Sequence, residues 1–295
     1  MDAPSSSRRW GPLLLLLVLS AQLVASSADA VLISFGDGTG NTTNPSFFGW
    51  DYVGDVNNLT GTYLGNGWVL TANHVGAGNF TLGGVTYLWI PGSEVQLDNQ
   101  APPLADLVMF QVTPEPPLPP LPLRTTKPPI GEFSIVIGCG RDRGSETMWD
   151  PNGPFPPPPN ELFGWNWAPT RTKRWGTNEV EGFPVGLVNS TVAFYTVFDD
   201  GQLLPESQAA NGDSGGAIFT INPTGTELAG LIYAVGPSLG QSAETSLFTN
   251  LTFAARIDFY HDQIQEIMLP EPTGGLAWGI VLLGILGRRA HRLQD

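Results

Sequence analysis

Asn211-Gly212-Asp213-Ser214-Gly215-Gly216 is the stretch on which the reading of this chain turns. A serine set between glycines and preceded by an aspartate meets the backbone needs of a nucleophile. Glycine reaches the φ values of a sharp turn and keeps side chains clear of an approaching carbonyl. The N–H groups of Gly212 and Ser214 are then free to converge on one point, as an oxyanion hole requires. A loop of Asn, Gly, Asp and Ser is also ordinary turn chemistry, so the partners elsewhere in the chain decide between the two.

A serine hydroxyl needs a base to take its proton, and the base needs an orienting acid. The chain has three histidines, His74, His261 and His291. His291 lies beside arginines near the C-terminus, and His261 falls on an expected C-terminal helix as a surface residue. His74 closes Gly67-Trp68-Val69-Leu70-Thr71-Ala72-Asn73-His74, a short apolar strand running into a small-residue turn. Asp106 leads the apolar run Leu107-Val108-Met109-Phe110, which sets a carboxylate at the edge of a buried sheet; strand capping is the alternative role. Asp98, the nearest competitor, sits in the polar setting Gln96-Leu97-Asp98-Asn99-Gln100.

Thr71-Ala72-Asn73-His74 resembles the Thr-Ala-Ala-His motif of trypsin-like serine proteases, with Asn73 in place of the second alanine. The Asp106 stretch resembles the Asp-Ile-Ala-Leu-Leu of the same family. The order His, Asp, Ser separates that family from subtilisins and α/β-hydrolases. The resemblance covers residues 31–268 and implies an all-β fold of two six-stranded antiparallel barrels with a closing C-terminal helix. The short interval from His74 to Asp106 implies trimmed loops in the first barrel.

The same resemblance implies a serine endopeptidase acting on protein or peptide, with catalytic His74, Asp106 and Ser214, an oxyanion hole of the Gly212 and Ser214 amides, and neither cofactor nor metal. It sets Gln208 at the floor of the specificity pocket, and Ala234, Val235 and Gly236 along its second wall. Gln208 is not acidic, so a neutral, moderately sized side chain is expected before the scissile bond. Asp213 in this family often pairs with a new N-terminus released by cleavage. Val31-Leu32-Ile33-Ser34 is apolar but lacks the Ile-Val-Gly-Gly start, so an internal partner for Asp213, without activation by cleavage, is the expectation here, with the new amine as the alternative.

The two ends read as addresses. Arg8-Arg9, the apolar run Leu13 to Leu19 and Ala28-Asp29-Ala30 form an export signal over residues 1–30, cleaved after Ala30 or after Ser26 or Ser27. Pro270-Glu271-Pro272, the apolar stretch Leu276 to Leu286 and the basic end Arg288-Arg289 resemble a PEP-CTERM sorting tail over residues 269–295. That resemblance implies transient membrane anchoring, removal by an exosortase, and a bacterial cell envelope or extracellular destination. A permanent anchor or a lipid-anchor signal are the alternatives, and the basic end argues against the latter. The sequons at Asn41, Asn58, Asn79, Asn189 and Asn250 carry meaning only in a eukaryote.

Between the two ends, composition suits many short strands: rich in Gly, Pro and aromatics, poor in Lys and Arg. Residues 31–272 hold 8 basic and 24 acidic residues, a net charge of −16 that argues against nucleic acid as a partner. Cys139 is the single cysteine, which leaves the fold without an internal disulfide. Gly36-Asp37-Gly38-Thr39-Gly40-Asn41 reads as a turn, with a calcium loop as the alternative.

Residues 31–112 read as the first barrel, with strands at Phe47–Val53, Thr60–Leu64, Trp68–Ala72, Val85–Ile90 and Leu107–Val112. Residues 113–129 are proline-rich and read as an extended connector. Residues 130–253 read as the second barrel, with strands at Phe133–Gly138, Thr191–Phe198, Ala217–Ile221 and Leu228–Val235. Trp149 to Trp167 reads as a long aromatic loop, and Arg171, Lys173 and Arg174 as a basic cluster paired with nearby acids. Residues 254–268 read as the closing helix, with Ile257, Tyr260, Ile264 and Ile267 at helical spacing. A surface-displayed pseudoprotease and a matrix-binding β-rich protein are the rival readings of function.

Overall fold

The computed structural model describes residues 31–46, 49–150, 161–199, 205–223 and 225–269. After β1 (Leu32–Ile33), the first sheet takes β2 (Val53–Val56), β3 (Leu59–Gly65), β4 (Trp68–Thr71), β5 (Phe80–Leu82), β6 (Val85–Trp89), β7 (Val95–Asp98) and β8 (Leu104–Thr113). Their order is β4-β3-β2-β5-β6-β8-β7. A further antiparallel pairing of β4 with β8, in register Val69↔Phe110 and Leu70↔Met109, closes six of these strands into a ring. Closure removes the unpaired sheet edges that would otherwise need covering.

The ring is narrow, and its sequence makes it so. Phe80 is fully buried inside, and a Cβ on Gly54 would lie 2.8 Å from its ring and 2.3 Å from the Thr81 carbonyl oxygen. Glycine at 54 and again at 61 leaves the volume that the phenyl ring fills.

The second half takes β9 (Phe133–Gly138), β10 (Arg141–Trp149), β11 (Leu162–Arg171), β12 (Arg174–Glu179), β13 (Ala193–Val197), β14 (Ser207–Gln208), β15 (Ala217–Asn222), β16 (Gly225–Gly236), β17 (Thr245–Leu247) and β18 (Leu251–Arg256), followed by helix α1 (Ile257–Met268). Six of them form a sheet in the order β12-β9-β15-β16-β18-β13. Its two outer strands are not joined as a strand pair, so the molecule is one closed barrel and one open half-barrel rather than two closed six-stranded barrels. Two smaller sheets accompany it, β10-β11-β17 and β1-β14.

The connector stitches the halves together. Leu121 donates its N–H to the Leu64 carbonyl (2.9 Å), and Arg124 donates its own to the Leu228 carbonyl (3.0 Å). The buried Arg124 guanidinium pairs with Glu132 at 2.9 Å and Glu227 at 3.1 Å. One hydrophobic core runs through both halves, from Val69 and Phe110 to Phe219, Leu231 and the helix residues Ile257, Tyr260 and Ile264. In α1, the Tyr260 hydroxyl donates to Asn99 Oδ1 (2.6 Å) and accepts the Val192 N–H (2.9 Å), which ties the helix to both halves.

Three local expectations change. The segment expected as a strand from Phe47 is a 3-10 turn at Trp50–Tyr52, entered from Gly49 at φ +120°, and β2 starts only at Val53. Residues 254–256 belong to β18, and the helix starts at Ile257. Leu162–Trp167 is not loop but part of β11, which forms a hairpin with β10. Among the described residues no helix is long and apolar enough to cross a membrane. Residues 1–30, expected as a leader, and 270–295, expected as part of a sorting tail, lie outside the described residues.

Candidate active site

His74 follows β4 on a tight turn closed by the Val75 N–H to the Ala72 carbonyl (3.0 Å). Asp106 stands on β8, whose pairing Thr71↔Val108 with β4 brings the two together. One carboxylate oxygen accepts the His74 backbone N–H (2.9 Å) and the other lies 2.7 Å from Nδ1. An ionised carboxylate only accepts, so Nδ1 carries the proton and Nε2 is left as the basic nitrogen. Asp106 is itself held by its N–H, which donates to the buried Thr191 hydroxyl at 2.9 Å. Asp98 does not reach the imidazole; its two oxygens accept the Gln100 N–H (2.6 Å) and the Gln263 amide (3.1 Å). His261 sits on α1 against Asp262 at 2.9 Å, and His291 lies outside the described residues.

Ser214 lies on the loop between β14 and β15. Gly212 and Gly215 take φ +105° and +92°, the left-handed region that glycine enters without strain. At Gly215 no other residue fits: a Cβ would lie 1.8 Å from the Thr60 carbonyl oxygen.

The loop also aims its amides. The Asn211 carbonyl accepts the Arg141 N–H (2.8 Å), and the Asp213 carbonyl accepts the Gly216 N–H (2.8 Å). Across a trans peptide the C=O and N–H point oppositely, so the Gly212 and Ser214 N–H groups face away from these anchors. Neither donates to an acceptor among the described residues, whereas Asp213, Gly215 and Gly216 all spend their amides within the fold.

The loop is clasped by the first barrel. Thr60 donates its hydroxyl to the Gly212 carbonyl (2.7 Å) and its N–H to the Ser214 carbonyl (3.1 Å). Thr62 donates to the Gly215 carbonyl (2.9 Å), and Thr71 donates to the Thr60 carbonyl (2.7 Å). All three threonines are fully buried. Sequence reading missed them. The available signal was Thr60-Gly61-Thr62, polar side chains at period two inside an otherwise apolar barrel strand.

Asp213 is fully buried. Its oxygens accept the Gly140 N–H (2.7 Å), the Ala210 N–H (2.8 Å) and the backbone N–H of Val31. Burial pushes its carboxyl up to about 6, against the lowering effect of those amides. Val31, also fully buried, packs with Val136, Ala209 and Ile218, and β1 pairs Leu32 with Gln208. The Asp213 carboxylate is thus held by the internal amides of Gly140 and Ala210, with Arg171 and the Val31 N–H at the beginning of the described chain also acting on it.

His74, Gly212 and Ser214 all face one cleft of about 550 Å³. Ala234 and Val235 line it; Gln208 and Gly236 do not. Gln208 is buried in β14 and donates to the Leu251 carbonyl at 3.0 Å. Trp167 forms a wall that sequence reading had placed on a loop, fixed by its indole N–H to the Ser246 hydroxyl (2.8 Å). Among the described residues, no carboxylate, lysine or arginine lines the cleft. Tyr233 stands in it with its hydroxyl on the Val188 carbonyl (3.1 Å), its pKa raised by burial, then by Tyr260 and Asp106. No hydrogen bond joins Ser214 Oγ to the imidazole among the described residues; such contacts commonly tighten only with substrate bound.

No family model matches the chain, and no curated protein matches its sequence. Among solved structures it is similar to the Rv3671c protease of M. tuberculosis H37Rv in its inactive form. A serine-to-alanine mutant of that protein aligns at 17% identity and TM-score 0.42, covering 77% of this chain and 91% of the other. The inactive form without that description aligns at 17% and 0.39, covering 74% and 90%. Neuropsin, a serine protease expressed in the limbic system of mouse brain, aligns at 16% and 0.48, covering 78% and 99%. At this similarity none of these proteins carries its residues or its substrates over to this chain.

Proposed function

We propose that the chain is a serine endopeptidase of the trypsin-like type, exported from a bacterial cell. The observation that carries this reading is the convergence on one cleft of a carboxylate-oriented imidazole, a serine and two uncommitted backbone amides. In this mechanism Ser214 Oγ attacks the peptide carbonyl carbon and gives its proton to His74 Nε2. The Gly212 and Ser214 N–H groups hold the developing oxyanion. Collapse breaks the C–N bond, and the imidazolium hands its proton to the leaving amine. Water then attacks the acyl ester, gives a proton to His74, and releases the acid as Ser214 is reprotonated. Asp106 orients the ring and stabilises the imidazolium throughout without taking the proton. The neutral lining supports a preference for a neutral side chain before the scissile bond.

The export leader and the Pro270-Glu271-Pro272 tail complete this reading, with an exosortase as the partner that removes the tail. Removal of the leader after Ala30 frees the Val31 α-amine beside the Asp213 carboxylate. What supports this is the buried position of Val31 and its backbone bond to that carboxylate. The internal amides of Gly140 and Ala210 hold the same carboxylate whether or not the leader is removed. A pseudoprotease role is the weaker alternative, since no element of the constellation is missing.

Profiling of cleavage products from a peptide mixture tests the proposal. His74→Ala and Ser214→Ala are each expected to cut turnover by roughly a thousandfold or more. Undiminished cleavage by the Ser214→Ala protein would overturn it, as would cleavage confined to sites after arginine for the specificity.

A further inference from the structure

A second hollow, of about 350 Å³, borders the oxyanion loop from the side of β2 and the β11–β12 turn. Its lining includes Trp50, Asp55, Cys139, Arg171, Thr172 and Lys173. Gly212, which lines the cleft, lies against Arg171, which lines the hollow: a Cβ on the glycine would be 2.9 Å from Arg171 Nε. A peptide lying across Ser214 with its acyl portion along Ala234 and Val235 therefore leaves over Gly212 toward Arg171.

The donors in this hollow are only partly used. Arg171 spends one Nη2 proton on the Cys139 carbonyl (2.6 Å). Among the described residues its buried Nε has no hydrogen-bond partner, and neither has the buried Thr172 hydroxyl oxygen. Asp55 is 3.9 Å from Nη2, beyond a hydrogen bond, and its own carboxyl is raised by burial. Lys173 lies over the Trp50 ring at 4.3 Å and donates to the Trp50 carbonyl; burial pulls its ammonium down to about 8. Besides Asp55, Arg171 acts on the buried Asp213 and Lys173 feels Asp51, but none of these carboxylates hydrogen-bonds to either cation among the described residues. The expected pairing of this basic cluster with nearby acids is loose at Arg171.

We propose that this hollow is a subsite for a carboxylate on the leaving-group side of the scissile bond. The proposal rests on the peptidase reading. Arg171 and Thr172 supply the hydrogen-bond donors, and Lys173 supplies charge. The carboxylate comes either from an Asp or Glu side chain just past the scissile bond, or from the chain terminus of a short product. Arg171 is a specificity residue here and takes no part in the bond-breaking steps.

The test compares fluorogenic peptides that differ only after the cleavage site, in the full-length protein. One pair carries Glu or Gln there; another carries Gln with a free or an amidated C-terminus. The expected result is a kcat/KM about tenfold or more higher for the carboxylate member of at least one pair, as charge-assisted hydrogen bonds of this kind give. The pair that responds identifies the source of the carboxylate. Arg171→Gln is expected to bring that ratio to near one, and Arg171→Lys to retain part of it. Equal rates within both pairs, or a ratio that survives in Arg171→Gln, would overturn the proposal. If no peptide is cleaved, the peptidase reading fails separately. Anisotropy of the same peptides bound to the Ser214→Ala protein then reads the subsite alone, and equal affinity within both pairs counts against it.

Discussion

The hydroxyl of Thr60 donates to the carbonyl of Gly212 at 2.7 Å, across the junction between the closed barrel and the half-barrel. The same oxygen accepts the N–H of Cys139 (2.9 Å), and the Thr60 N–H holds the Ser214 carbonyl. One residue on β3 therefore fixes the loop that carries the Gly212 and Ser214 amides proposed as the oxyanion hole. Loss of its hydroxyl leaves a buried carbonyl and a buried N–H unpaired, each costing about 1–3 kcal/mol.

Thr60→Val is accordingly expected to lower kcat by roughly ten- to a hundredfold with a much smaller change in KM, because loop geometry matters most in the transition state. Thr60→Ser should restore most of the rate. Steady-state kinetics read beside the melting temperature separate this from a general loss of fold. A KM effect with unchanged kcat would contradict the assignment.

Gly215→Ala should be far more damaging. Its Cβ would enter a space 1.8 Å from the Thr60 carbonyl oxygen and 2.3 Å from Thr71 Oγ1, at φ +92°. A loss of about 3 kcal/mol or more is expected, from strain and from breaking the threonine clasp. Chemical denaturation measures it, and an unshifted midpoint would be incompatible with the packing described.

Asp106→Asn tests the orientation of His74. The carboxylate serves two donors at once, the His74 N–H and Nδ1. An amide offers one acceptor oxygen, and its NH₂ group stabilises the wrong tautomer. The expected loss in kcat is about three to four orders of magnitude with the fold retained. A loss below about tenfold in pre-steady-state and steady-state rates would remove Asp106 from the mechanism.

Asp213 gives a pH signature. Its carboxyl is raised by burial to about 6. The folded state thus holds this proton more tightly than the unfolded state does. Its contribution to stability is fully present below about pH 4 and is lost as pH rises through 6. The loss amounts to about 3 kcal/mol. Relative to Asp213→Asn, a chain that retains residues before Val31 should lose stability over that window. In a chain beginning at Val31, the α-ammonium favours the ionised carboxylate and the loss should shrink or vanish. Identical profiles in the two would show that the Val31 amine does not reach Asp213.

Much of this arrangement could be read from residues close together in sequence. β9 spans 133–138 as its apolar run indicates, and the proline-rich connector runs between the two halves. His74 announces itself because strand and turn precede it directly. The rest depends on contacts distant in sequence. Thr60 meets Gly212 and Val31 meets Asp213 across most of the chain, and nothing local to either residue marks the partner. The β10–β11 hairpin escaped because Arg141-Asp142-Arg143-Gly144-Ser145-Glu146 lacks the apolar alternation of a half-buried strand. Gln208 looked like a pocket floor from its distance to Ser214, but its pairing with Leu32 turns it into the interior.

The most direct test of the central claim is labelling with a fluorophosphonate, which reacts only with a serine activated by its base. The account predicts labelling of the chain beginning at Val31, abolished by Ser214→Ala and by His74→Ala. A folded protein that takes up no label, or one labelled equally after Ser214→Ala, would contradict it.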